Sequence, residues 1–238
     1  MTRFKLLREL AGMFLLLFAL LSAPASQAMD HTEAHAEPMY SYTRAELATG
    51  QVRHQPGSAR TLALDGWYGG DKDRLWWQGD AASLGGKQES SALGIWYGHY
   101  CAPFWDGQIG LRSDGNPGSA GYLSVGMRGL APYEYDTDFK LDVRSDGKWF
   151  VHGKVEQDVL LTNRLILSPS LDVSFAGSDV DATVRSGLYQ AGIGVHLRYE
   201  FTRKFAPYLE ASRTLHPRAL AAGEPHSTRI MAGLRLVF

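Results

Sequence analysis

A single cysteine, Cys101, stands in the 238 residues, so no disulfide within the chain can staple the fold. There is no excess of either charge: 24 Lys and Arg face 25 Asp and Glu. That balance argues against a nucleic-acid partner, which selects a basic surface. After the first 28 residues no run reaches the ~18 consecutive apolar residues of a transmembrane helix. No stretch carries a convincing helical stripe, and no sequence repeat of fixed period is present. A helical membrane protein and a disulfide scaffold are thereby set aside.

What is present begins with a leader. Arg3, Lys5 and Arg8 precede an apolar core from Leu10 to Leu21, and small residues follow in APASQA. This is the three-part pattern of a secretory signal peptide over residues 1–28. Cleavage fits after Ala25 or after Ala28, and Ala28 is the preferred site. No cysteine follows directly, which argues against a lipoprotein anchor. The leader holds three of the basic residues and one glutamate, so the chain from 29 to 238 carries net charge −3.

From residue 40 onward the dominant period is two. In RLILSPSLDVSFA (164–176), Leu165, Leu167, Pro169, Leu171, Val173 and Phe175 share one face. Ser168, Ser170, Asp172 and Ser174 share the other, with Ile166 as the exception. In YEYDTDFKLDVR (133–144), Phe139, Leu141 and Val143 oppose Asp138, Lys140 and Asp142. In YQAGIGVHLRYEF (189–201), Tyr189, Ile193, Val195, Leu197, Tyr199 and Phe201 oppose Gln190, His196, Arg198 and Glu200. Side chains alternate across a strand, so these segments are amphipathic as β and not as α.

A soluble sandwich also alternates, but three features favour a membrane barrel. The strands have about 9–12 residues, enough to cross a bilayer at a tilt. The polar faces carry dense charge of both signs, which suits a wet lumen. Aromatics gather at one set of strand ends, at Trp67 and Tyr68, Tyr100 to Trp105, Tyr133 and Tyr135, and Tyr199 to Tyr208, as in an interfacial girdle. Tight turns are expected near 69–72, 101–103, 131–132, 161–163 and 202–206. Looser connections are expected near 54–59, 81–88, 113–119, 145–147, 178–186 and 214–228. These eleven connections imply twelve strands (10–12 allowing for error), starting near 40–50. The reading is all-β: a transmembrane antiparallel up-and-down β-barrel over 40–238, preceded by a polar arm at 29–39. An even count puts both termini in the periplasm of a Gram-negative bacterium.

The last strand, RIMAGLRLVF, alternates and ends on Phe238, like the assembly signal of bacterial outer-membrane barrels. The stretches GWYGGDKDRLWWQGD (66–80), APFWDGQIGLRSD (102–114), GLAPYEYDTD (129–138), EQDVLLTNRLILSPSLDVSFAGSD (156–179), LRYEFTRKFAPYLEASR (197–213) and TRIMAGLRLVF (228–238) together resemble the bacterial copper resistance protein B family. The likeness runs in collinear order over nearly all of the barrel. It implies an outer-membrane protein of copper tolerance, partnered in its resistance system by a periplasmic multicopper oxidase. Members often carry a long arm rich in Met and His; here it is cut to MDHTEAHAEPM, which puts high-capacity copper storage in doubt.

The short arm still holds Met29, His31, His35 and Met39. Thioether sulfur suits Cu(I), and imidazole suits Cu(I) and Cu(II). A mature start at Met29-Asp30-His31 would let the terminal amine, two deprotonated amides and the imidazole close a square of four nitrogens, a Cu(II) geometry. Cleavage after Ala25 would abolish that site. His35 and Met39 would add a second, Cu(I)-type site with Met29 or His31; the alternative is an ordinary disordered, Ala/Glu/His-rich leader to the barrel. Inside the barrel, His152, His196 and Met231 project to the lumen as a candidate metal path. The neighbouring Asp, Glu, Lys and Arg are expected to neutralise one another and fill a narrow pore. A general solute channel is the alternative function. An enzyme is not expected: the strand serines and His152 or His196 face away from lipid, and no G-x-S-x-G turn is present.

Overall fold

A computed structural model describes residues 38–116, 119–180, 184–217 and 226–238. Thirteen strands follow one another: β1 (Tyr40–Val52), β2 (Ser58–Gly69), β3 (Asp73–Leu84), β4 (Lys87–Ala102), β5 (Trp105–Asn116), β6 (Ala120–Ala131), β7 (Tyr135–Arg144), β8 (Trp149–Gln157), β9 (Val159–Leu160), β10 (Leu165–Ala176), β11 (Gly187–Tyr199), β12 (Phe205–Leu215) and β13 (Ser227–Val237). β8 and β9 both pair with β10 and are two halves of one wall strand, interrupted at Asp158. The wall therefore has twelve positions, the expected number. Each neighbour is antiparallel, and β1 closes the sheet on β13 with Arg44 opposite Val237 and Val52 opposite Arg229. Closure leaves no edge, so the strand amides and carbonyls in the wall find partners without water.

Alternation sorts the side chains inside out. Leu111, Ile193, Leu209 and Ile230 are all more than half exposed on the outer face. Asp142, Ser124 and Ser168 are fully buried in the lumen. A hydrocarbon surround and a polar interior explain both at once. Ile166, the exception to its strand's pattern, is indeed inside, at 6% exposed. Tyr189 departs from simple parity: a register shift between Ser174 and Phe175 opposite it turns its ring onto Phe150, edge-on at 6.5 Å. One extra residue in a strand re-aims a side chain in this way.

The connections differ in detail from expectation. The 81–88 and 113–119 stretches are mostly strand, and only Gly85 and Gly86 turn between β3 and β4. Both take positive φ, +56° and +79°, as a two-residue hairpin turn needs. Two short turns share an Ala-Pro-aromatic sequence, with Phe104 and Tyr133 at φ near +68° and +66°. Their rings are 75% and 85% exposed at the tips. With Tyr68, Tyr100, Tyr135, Tyr199 and Phe201 they form the exposed aromatic set of the short-turn end. Tyr208, counted with that girdle, instead faces inward and is 5% exposed. Trp67 also turns inward, and Trp67 and Trp105 both border the space at the lumen mouth at this end.

Candidate functional site

The lumen is the site, and cross-lumen contacts shape it. Arg128 on β6 makes a bidentate pair with Asp65 on β2, at 2.8 and 3.2 Å. Its guanidinium also lies over Trp76, 4.6 Å from the ring centroid. Lys140 on β7 donates to Gln78 on β3 at 2.9 Å and sits 4.1 Å over Trp96. These strands are not neighbours, so the contacts run across the barrel. They tie the β2–β3 wall to the β6–β7 wall and wall off β4 and β5. Arg74 bonds Asp106 at 2.8 Å and lies over Trp67, extending the same pattern toward the short-turn end.

Two spaces remain. One, about 730 Å³, opens among Tyr42, Trp67, Arg74, Trp105, Asp106 and Asp136. The other, about 270 Å³, lies along the opposite wall and is lined by Glu46, Asp172, His196, Glu210, Met231 and Arg235 among others. Arg44 touches both.

The sequence-derived candidates divide accordingly. Met29, His31 and His35 lie outside the described residues. Met39 is 54% exposed just before β1. His196 and Met231 line the same cavity, as expected of inward positions. The imidazole Nδ1 of His196 accepts from Arg235 at 3.3 Å, and its ring packs edge-on against Tyr208. Met231 is 1% exposed, packed with Ala48, Val52 and Ala59. Its sulfur lies against Gly50, where an added Cβ would meet it at 2.8 Å.

His152 stands apart from both. Its Nδ1 is 3.0 Å from the Ser174 hydroxyl, and its Nε2 is 3.5 Å from Asp142 Oδ2. This is a Ser-His-Asp sequence of contacts, though a poor nucleophilic triad. Asp142 is already engaged by Arg112 at 2.8 Å, and the buried Ser174 hydroxyl also bonds Tyr189. A base committed to such a network has little drive to take the serine proton. Among the described residues, no three His, Cys, Asp or Glu side chains converge as a metal cage.

Outside the lumen, His99 resolves to the outer face, where its Nδ1 meets Asp73 at 2.8 Å and Tyr97 donates to the same carboxylate. In the 145–148 turn, a hydrogen bond from the Arg144 guanidinium holds the Asp146 carboxyl below the usual range.

Sequence reading missed the cross-lumen pairs. Their partners are 62 and 63 residues apart, and parity alone places both ends inside without saying which wall each faces.

A closed twelve-stranded antiparallel barrel with an apolar exterior and a charged lumen is an outer-membrane β-barrel. Two solved barrels bear this out at the level of fold alone. The NanC porin superposes with a TM-score of 0.57 at 12% identity, over 81% of this chain and 98% of that one. The KdgM porin gives 0.52 at 10% identity, over 82% and 99%. Residues 43–238 match the family model described as copper resistance protein B precursor (CopB), and the chain belongs to that family. A copper resistance protein B of Escherichia coli is 35% identical over 184 residues, 74% of this chain. The match covers 62% of that relative, less than two thirds of its length. A copper resistance protein B homolog of Pseudomonas syringae pv. tomato is 32% identical over 214 residues, 87% of this chain and 72% of the relative.

Proposed function

We propose that this protein contributes to copper resistance by binding copper and handling it at, or across, the outer membrane. The family match over residues 43–238 carries the reading. Copper is cargo here, taken first by Met29, His31, His35 and Met39 on an arm exposed after removal of a signal peptide at residues 1–28. The barrel anchors that arm with both termini in the periplasm, as its even number of wall strands supports. A periplasmic multicopper oxidase of the same resistance system is the protein partner, on the family resemblance. Soft thioethers and imidazoles can hold either copper oxidation state that such an exchange would present. No enzymatic role is assigned to the barrel.

Growth decides between this reading and a general channel. The full chain is expressed in a Gram-negative strain lacking its own homologue and challenged with copper, zinc and an unrelated small toxic solute. A rise in tolerance confined to copper is expected. Unchanged copper tolerance, or a parallel rise in sensitivity to all three, would favour the unspecific channel.

A further inference from the structure

We propose that the lumen passes cations in preference to anions, along the wall formed by β8, β10–β13 and β1, with Asp172 and Glu210 setting the sign.

The cross-lumen contacts determine the route. Asp65–Arg128 and Gln78–Lys140 close the β2–β7 side, and a polar space of about 270 Å³ lies along the opposite wall. Pairing determines the sign. Every Lys and Arg on the inward face, from Arg44 round to Arg235, holds an ion pair among the described residues, although Arg44 shares Glu46 with Arg235 and Asp65 with Arg128. Arg74, Arg112, Arg128 and Lys140 are held twice, since each also lies over an aromatic ring. A cation already neutralised and shielded by a π-face offers little to a passing anion.

The acids are not matched in return. Among the described residues, Asp80, Asp136, Asp172 and Glu210 face inward by strand parity without a Lys or Arg partner in ion-pair contact. They stand at different depths: Asp136 is the second residue of β7, Glu210 the sixth of β12, and Asp172 and Asp80 the eighth of β10 and β3. Asp136 lines the larger, short-turn space, while Glu210 and Asp172 line the narrower one. Gly192 and Gly194 leave the β11 wall bare beside β10. The Asp172 carboxylate occupies that space, with Oδ1 2.2 Å from where a Gly192 Cβ would stand. Unpaired carboxylates spaced along a narrow, low-dielectric passage attract cations and repel anions.

The test is electrical and needs no copper. Purified barrel is placed in planar bilayers of zwitterionic lipid under a potassium chloride gradient, and the reversal potential is read. Potassium is expected to be several-fold more permeant than chloride. The double variant Asp172→Asn/Glu210→Gln is expected to bring the ratio toward one, and each single variant to move it part of the way. Folding of every variant is checked by its heat-dependent gel mobility. Chloride preference, a ratio unmoved in the folded double variant, or a folded wild type that passes no current would each overturn the proposal. None of these outcomes bears on copper tolerance, which the growth experiment reads separately.

Discussion

Arg128 shows how single residues govern this lumen. Its guanidinium is clamped between the Asp65 carboxylate and the Trp76 face, with the two charged side chains 15% and 8% exposed. Removing one partner of such a pair leaves the other buried and uncompensated, at a cost of about 3 kcal/mol. Asp65→Ala and Arg128→Ala should therefore each lower stability by about that amount in urea unfolding followed by tryptophan fluorescence. The double variant should lose clearly less than the sum, with a coupling of about 1–3 kcal/mol. Additive losses would mean that the two side chains do not act together. At this scale the sequence was informative about side and silent about partner. Parity placed Lys140, Asp142, His152 and His196 inside, yet which wall each residue faces depends on closure, which no local pattern encodes. Met231 and His196 line one cavity, with the sulfur set against Gly50 and the imidazole beside Arg235.

Among the strands, the lipid face and the lumen face obey opposite rules. Leu111 is 63% exposed near the middle of β5, where hydrocarbon surrounds it. Leu111→Arg should cost about 2–4 kcal/mol of stability in lipid, a penalty typical of a midplane cation on a barrel exterior. Equilibrium unfolding in vesicles would measure it, and an effect near zero would show that this face does not meet lipid. On the inner face the demand is for space. A Cβ at Gly94 would fall 2.0 Å from the Trp96 ring, which is 3% exposed and carries Lys140 on its face. Gly94→Val should thus lower refolding yield and blue-shift no residual tryptophan emission to the native position. Strand identity was legible because alternation survives over whole strands. Strand ends were less so. Gly, Ser and Asp at 81–88 and 113–119 read as loop, whereas the hydrogen-bonded ladder continues through them and only Gly85 and Gly86 turn between β3 and β4. The Tyr189 displacement depends on a register shift, which alternation cannot foresee.

For the whole molecule, closure is the deciding event. The seam joins the two ends of the barrel sequence, and Phe238 and Thr43 exchange backbone hydrogen bonds at 2.9 and 3.1 Å. Deleting Phe238 should reduce the heat-modifiable, membrane-inserted fraction, measured by gel mobility of outer-membrane extracts. An unchanged fraction would show that Phe238 is not needed for assembly. The barrel's architecture, strand number and family were all visible in the sequence, since each is written along the chain in local pattern or collinear motif. The copper chemistry was visible only as ligand types in a short arm, and the lumen's preference for one sign of charge emerged only once every inward cation had a partner.

Copper uptake by the arm is tested by one titration. Cu(II), and then Cu(I) under reducing conditions, is added to the folded protein beginning at residue 29 and to a version lacking residues 29–39. Tight binding by the intact protein and its loss in the truncated one is the predicted result. Equal binding by both, or by neither, would contradict the claim that Met29, His31, His35 and Met39 are the copper ligands.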